Sequence, residues 1–274
     1  MYVAIDIGGT KTLLALFTNR GTRIKRLKMK SYQEQDKWLT ELKKSIPRIL
    51  PLRRSSVKAI TISYPGILDG NHPGKAPNLP NWNGPVIEEC IKDLFSNNRV
   101  NCKIYYKNDA DLGAFYECYN YSGTTIYLTF GTGIGGGIVK SRRLAKESSD
   151  FEPGHIIKSY RGKRMEWEKI SSSKAIRAAN DDLDVTKISE KKALDDVACR
   201  MEIGITDIIK KYNPDQIVIS GPIAQVFPGF HGTLVKLLEA SLGNKYEVPK
   251  IYAAKRPQES VIYGAYLYGK SKNS

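Results

Sequence analysis

One loop design occurs twice in this chain, and that repetition constrains the fold more than any other feature. Residues 2 to 17 read Tyr-Val-Ala-Ile-Asp-Ile-Gly-Gly-Thr-Lys-Thr-Leu-Leu-Ala-Leu-Phe. Residues 125 to 139 read Thr-Ile-Tyr-Leu-Thr-Phe-Gly-Thr-Gly-Ile-Gly-Gly-Gly-Ile-Val. Each copy is an apolar, β-branched run, a Gly/Thr turn and a second apolar run, the pattern of a β-hairpin with a glycine-rich tip. Without a Cβ in the way, the backbone N–H groups of such a tip can approach an anion closely. Two tips facing each other would hold a polyphosphate chain from both sides.

The remaining pattern alternates strands with helices. Strands are expected at 2–7, 12–17, about 22–29, 58–63, 102–107, 125–139, 216–220 and 250–253. Helices are expected at 33–50, 86–96, 109–121, 166–180, 188–212, 231–242 and 260–267, with a polar segment from 141 to 162. Residues 69–85 form a loop rich in Pro, Gly and Asn, long enough to suggest a binding role. Strands followed by helices in both halves, each half opening on a hairpin, indicate an α/β protein with two similar lobes and a ligand cleft between them.

Bulk properties narrow the class. With 41% hydrophobic and 26% charged residues, the chain suits an ordinary water-soluble globular protein. No apolar run approaches the ~20 residues of a membrane span, and a strand with Asp6 stands where a secretory signal would. Cys90, Cys102, Cys118 and Cys199 have no metal-ligand or redox spacing, so reduced thiols in the cytoplasm are expected. The net charge of +15 is open to several readings: nucleic acid, an acidic surface, a polyanionic substrate, or solvated basic faces. Two basic groups stand out. The first is Arg20, Arg23, Lys25, Arg26, Lys28 and Lys30. The second, downstream of the second glycine loop, is Lys140, Arg142, Arg143, Lys146, Lys158, Arg161, Lys163 and Arg164.

Four short motifs carry chemistry, each with a plainer alternative. Asp6 precedes Gly8, Gly9, Thr10 and Lys11; a carboxylate there can hold Mg²⁺ through water beside bound phosphates, or simply cap a hairpin turn. In Asn108-Asp109-Ala110-Asp111, Asp109 can take a proton from an attacking hydroxyl, yet local sequence favours Asp109 as a helix N-cap. Glu152-Pro153-Gly154-His155 suits hydroxyl recognition or a metal, or is a charged turn. Asn78-Leu79-Pro80-Asn81-Trp82 offers amides beside an aromatic ring for a sugar, or is a packed loop.

Together, in order, these motifs resemble the ROK sugar kinases of the actin-like ATPase superfamily. The likeness runs from residue 3 to about 170 and takes in Tyr64-Pro65-Gly66-Ile67 and the second glycine loop, Gly131-Thr132-Gly133-Ile134-Gly135-Gly136-Gly137. It resumes at Ile217-Val218-Ile219-Ser220-Gly221 and Gly264-Ala265. The resemblance implies a two-lobed actin-like ATPase (ribonuclease H-like) fold. Its small lobe would be 1–110, joined by 260–274, and its larger lobe 111–259. It implies ATP and Mg²⁺ as cofactors, with Asp6, Gly8, Gly9, Thr10, Lys11, Gly131, Thr132, Gly133, Gly135 and Gly221 around the donor. Asp109 would be the base for a hexose 6-hydroxyl, most simply that of glucose. Asn78, Asn108, Glu152, His155 and Glu168, with Glu166 as the alternative to Glu168, would hold the sugar.

The chain departs from the family pattern in three places. The stretch after His155 has no cysteine, so structural zinc is not expected. Gly221-Pro222 replaces the Gly-Gly near the adenine. No helix-turn-helix unit precedes the first strand. Alternative readings are inorganic polyphosphate as donor, an N-acetylhexosamine or fructose as acceptor, or a sugar-sensing regulator without catalysis. No nucleic-acid or membrane partner is expected, and a homodimer is an option because dimers are common in the family.

Overall fold

The computed structural model describes residues 1–76 and 79–273 as two compact units, Met1–Tyr116 with Val261–Ser274, and Glu117–Ser260. In the first unit, the chain forms β1 (Tyr2–Ile7), β2 (Lys11–Phe17), β3 (Arg23–Lys30), α1 (Gln35–Ile49) and β4 (Ala59–Ser63). A short pair, β5 (Leu68–Asp69) and β6 (His72–Pro73), precedes α2 (Gly84–Asn97), β7 (Lys103–Lys107) and α3 (Asp109–Cys118). The sheet order is β3-β2-β1-β4-β7. The β1–β2 and β2–β3 pairs are antiparallel, and β1–β4 and β4–β7 are parallel.

The second unit repeats that plan with β8 (Thr124–Phe130), β9 (Ile134–Lys140), β10 (Arg143–Leu144), β11 (Ile157–Tyr160) and β12 (Lys163–Glu166). It continues through α4 (Glu168–Ser171), α5 (Ser173–Ala178), α6 (Lys191–Tyr212), β13 (Gln216–Ser220), α7 (Phe227–Leu242) and β14 (Lys250–Ala253). Its sheet order, β10-β9-β8-β13-β14, has the same three antiparallel strands followed by two parallel crossovers. The last helix, α8 (Ser260–Ser271), returns the chain to the first unit.

Each sheet buries its apolar faces under helices. In the first unit Val3, Ile5, Leu14 and Leu16 pack against Trp38, Leu42, Ile87 and Ile91 of α1 and α2. The opposite face, with Ala4, Leu13, Ala15 and Phe17, packs against Leu112 of α3 and Ile262, Ala265 and Tyr266 of α8. Gly264 sits against the carbonyl of Leu112 so closely that a Cβ would overlap it. In the second unit α6 and α7 cover the sheet with residues including Met201, Ile205, Phe230 and Leu234.

All of the first basic group but Arg20 lies on β3, an outer strand of its sheet. Lys25 Nζ donates to the carbonyls of Arg48 and Leu50, each at 3.1 Å, at the C-terminal end of α1. The Arg23 guanidinium lies 5.6 Å from the Tyr263 ring centre. Lysines and arginines on an edge strand also keep it from pairing with other chains. The second group is partly neutralised, Lys140 by Glu147 at 2.8 Å and Lys158 by Asp207 at 2.7 Å.

Several expected elements differ. The segment expected as a 166–180 helix is the end of β12 and then two short helices. Ser172 separates them in an extended conformation (φ −61°, ψ 155°) while its side chain accepts from Ala175 N–H to cap the second. The polar stretch ending at 162 holds β11 and leads through Arg161-Gly162 into β12. The helix expected from 231 starts at Phe227, with a proline in its first turn. The helix expected from 86 starts at Gly84, capped by Asn83.

Candidate active site

In the first unit β1, β4 and β7 run parallel, so their carboxyl ends share one edge, where ligands bind in open α/β sheets. Asp6 is next to last in β1, opposite Ser63 of β4. Burial pushes the Asp6 carboxyl up to about 6, and the charge of Asp109 adds to the effect, while Ser63 and the Lys11 ammonium oppose it. Asp109 opens α3 just beyond β7. Its surface is open to solvent, but protein crowds the carboxylate closely enough that burial raises its pKa against the pull of the Ala110 N–H.

Local sequence favoured Asp109 as the N-cap of this helix, and the structure corrects that. Leu112 N–H donates to the Asn108 carbonyl at 3.1 Å, and Ala110 N–H donates to Asn108 Oδ1 at 2.7 Å. Asn108 therefore holds the cap position. Asp109 is the first helical residue, and its Oδ1 shares the same Ala110 N–H at 2.7 Å. Asn108 has committed Oδ1 to the cap, which leaves its amide NH₂ as the donor.

The first glycine turn is closed by Gly8 N–H donating to the Lys11 carbonyl at 3.0 Å. Gly9, Thr10 and Lys11 are exposed, and nothing lies within 4 Å of where a Gly9 Cβ would be, so an anion can reach the backbone there. In the expected sugar loop, Trp82 is a core residue. It is 5% exposed, packs on Trp38 with ring centres 4.7 Å apart, and donates to the Tyr32 carbonyl at 3.2 Å. Asn78 lies outside the described residues.

In the second unit the glycine tip is narrower than the sequence suggests. Gly131 N–H donates to the Gly133 carbonyl at 2.9 Å, and Lys174 N–H at the start of α5 donates to the Gly131 carbonyl at 3.3 Å. Thr132 is exposed at the tip. Gly135, expected in the loop, lies within the β8–β9 ladder opposite Thr129. Gly221 has φ +83° and is pressed against the backbone of Phe130, a place only glycine fits. Beyond it, an open hollow of about 290 Å³ is lined by Gln225, Arg256, Pro257, Gln258 and Glu259. No motif flagged that hollow, because its walls come from two separate stretches of chain.

Glu168 joins the glycine tip to the Glu-Pro-Gly-His segment. Ile134 N–H donates to its Oε2 at 3.4 Å. A Cβ at Gly133 would lie 2.5 Å from that oxygen and one at Gly154 3.0 Å from it. His155, Glu166 and Glu168 each present a side-chain ligand atom within 4.8 Å of the other two. His155 Nδ1 is 3.3 Å from Glu166 Oε1, and Lys169 Nζ is 2.8 Å from Glu166 Oε2. The Lys169 hydrogen bond, followed by His155, holds the Glu166 carboxyl below its ordinary range. Both candidate glutamates thus converge on His155. Glu152 is exposed one step before the turn Pro153–His155.

Each unit thus presents a glycine turn with an exposed tip, and the second gathers two glutamates about His155. The ROK family model matches residues 2–271, and the chain belongs to the ROK family. The xylose repressor of Bacillus spizizenii is 25% identical over 219 residues, an alignment covering 69% of this chain and 56% of the repressor. The glucokinase of Thermotoga maritima is 26% identical over 191 residues, covering 64% and 58%. The chain therefore spans little more than half the length of these two relatives.

Solved structures match along nearly the whole chain. A crystal structure from Cytophaga hutchinsonii superposes with a TM-score of 0.81 at 22% identity, covering 98% of this chain and 99% of that one. A ROK family glucokinase from Streptomyces griseus, in complex with glucose and AMPPNP, gives 0.77 at 18% identity, with the same coverage. The fold is the α/β actin-like ATPase fold of ROK sugar kinases. Among the described residues, no helix is long and apolar enough to cross a membrane.

Proposed function

We propose that this chain is an ATP-dependent sugar kinase that phosphorylates the 6-hydroxyl of a hexose, with glucose the first candidate. The observation that carries the reading is Asp109. It is a carboxylate at the carboxyl edge of the sheet, relieved of capping by Asn108 and made more basic by burial, which is what proton abstraction from a sugar hydroxyl requires. The hydroxyl oxygen would bond to the γ-phosphorus as its proton passes to Asp109 Oδ, the bond to the β-phosphate oxygen breaking and ADP leaving. Phosphoryl transfer asks the protein chiefly for positioning and charge neutralisation.

In this reading the Gly8–Lys11 and Gly131–Gly133 turns hold the donor phosphates, with Gly135 and Gly221 shaping the backbone behind the second turn. Asn108, His155, Glu152 and Glu168 would bind sugar hydroxyls, with Asn78 from the loop and Glu166 fixing His155. The hollow at Gln225 and Arg256–Glu259 is the place for the nucleotide base. A Mg²⁺ ion fits beside Asp6, because that carboxylate's charge is disfavoured by burial and by Asp109 and a cation would relieve it. Bound there, it would neutralise phosphate charge. We place the protein in the cytoplasm, with a homodimer as the assembly to test.

A second reading, a sugar-responsive regulator without catalysis, is favoured by the repressor relative. A coupled assay across glucose, N-acetylhexosamines and fructose, with ATP and with polyphosphate, tests both. Phosphorylation of one hexose with ATP is the expected result. Sugar binding without turnover on any donor would overturn the kinase reading in favour of the regulator.

A further inference from the structure

Arg200, in the middle of α6, is the one buried basic side chain among the described residues, at 5% exposure. Burying a guanidinium costs several kcal/mol unless its hydrogen bonds are replaced, and apolar residues of similar volume often stabilise as well or better. Arg200 spends its bonds on one small region. Nε donates to Asp196 Oδ2 at 2.5 Å, one turn back on the same helix. Nη1 donates to the Ile170 carbonyl at 2.9 Å. The guanidinium lies 5.2 Å from the centre of the Tyr160 ring, at the end of β11. Its own carbonyl accepts from Trp167 Nε1 at 3.1 Å and from Ser171 Oγ at 2.6 Å. One turn on, Gly204 leaves the room that the Trp167 ring occupies; a Cβ there would overlap the indole.

These contacts bracket Glu168. Trp167 precedes it and Ile170 and Ser171 follow it, while Tyr160 belongs to the hairpin whose last residue is Glu166. Among the described residues Glu168 reaches one backbone donor, Ile134 N–H at 3.4 Å, so its aim is set by how its flanks are held. We propose that Arg200 is a positioning residue for the sugar-binding carboxylate Glu168, holding Trp167–Ser171 against α6 so that the carboxylate stays between Gly133 and Gly154. The inference rests on the reading of Glu168 as a sugar ligand. A displaced binding group can cost large factors even when its chemistry is intact.

The test measures affinity for glucose and for MgADP by calorimetry in the intact chain, beside amide hydrogen exchange of residues 167–172. Arg200→Lys keeps a cation but loses the second donor and the flat ring contact, and Ser171→Ala removes only one bond to the Arg200 carbonyl. We expect Arg200→Lys to weaken glucose binding about tenfold or more, with faster exchange at 167–172. MgADP affinity should stay within about twofold of wild type. Ser171→Ala, which carries the test if the lysine variant does not fold, should weaken glucose binding by a smaller factor in the same direction. Faster exchange with unchanged glucose affinity in the folded variants would overturn the proposal and leave Arg200 a stability residue. Glu168→Gln separates the two failures. Unchanged glucose affinity in that variant would overturn the sugar-ligand reading itself. A Glu168→Gln defect beside unaffected Arg200 and Ser171 variants would overturn only the role of Arg200.

Discussion

Asp6→Asn should stabilise the first unit near neutral pH and leave its stability in acid unchanged. In the unfolded chain Asp6 titrates near 3.8, and in the fold at about 6, raised by burial and by Asp109. Below 3.8 the group is protonated in both states and costs nothing. Between 3.8 and about 6 the native state keeps a proton that the unfolded chain has released, so stability falls as pH rises through that window. Above about 6 the penalty is complete. At about 1.4 kcal/mol per pH unit the gap corresponds to about 3 kcal/mol. That figure is a net one, already containing the opposing pull of Ser63 and Lys11.

Urea unfolding can read this directly, since Trp38 and Trp82 are buried in the first unit and Trp167 is the single tryptophan elsewhere. Melts of wild type and variant with a chelator present, from about pH 3 to about pH 8, should coincide at the acid end. At the alkaline end the variant's midpoint should be higher, with the urea slope unchanged. An equal shift at both ends, or a variant less stable at pH 8, would refute the claim that the charge on Asp6 is disfavoured. The same variant should lose activity, a carboxylate kept at a cost to the fold being the mark of a functional position.

The other expectations can be checked with purified protein. Asp109→Asn should lower kcat roughly 10²–10⁴-fold while keeping sugar affinity; retention of more than about a tenth of wild-type kcat would remove Asp109 as the base. Because burial raises the Asp109 carboxyl above 3.8, kcat should decline as pH falls through that raised value, which a pH–rate profile measures. Metal analysis should find well under one zinc per chain, since a structural site takes about four N/S ligands and the cysteines flanking His155 in sequence are Cys118 and Cys199. Stoichiometric zinc that resists a chelator would contradict this. If Lys140–Arg164 borders the donor path, polyphosphate should bind with an affinity that falls steeply with salt, because exposed charges are screened beyond about 8 Å at physiological ionic strength. Absence of polyphosphate turnover at every salt concentration would leave that group as a solvated surface.

Where backbone pattern and side-chain chemistry coincide, the sequence was legible. Both glycine hairpins and the parallel strands at 59–63, 103–107, 216–220 and 250–253 follow from apolar β-branched runs bounded by turns. The β11–β12 hairpin was hidden because Lys158 to Arg164 has no apolar alternation. Its remaining signal was the two-residue turn Arg161-Gly162, with both φ angles positive (50° and 77°), as a tight hairpin requires. Ser171-Ser172-Ser173 concealed a helix break, since a serine can sit inside a helix or cap the next one. Trp82 was ambiguous because the same ring can line a sugar site or fill a core. Only its packing on Trp38 decides, and those residues are 44 positions apart.

The order Asn108-Asp109 shows why one residue of register matters to the chemistry. A helix N-terminus lowers the pKa of a carboxylate placed there, through its N–H groups and dipole. An aspartate serving as the cap would take the strongest share of that effect and be a poor base. With Asn108 accepting from Ala110 and holding the cap, Asp109 shares that N–H at 2.7 Å and draws on its own backbone N–H, and burial outweighs both. The basicity of Asp109 is thus the outcome of burial set against two backbone N–H groups, a balance that spacing alone does not reveal. Exchanging the two residues would keep the composition of the motif and reverse the assignment of its roles.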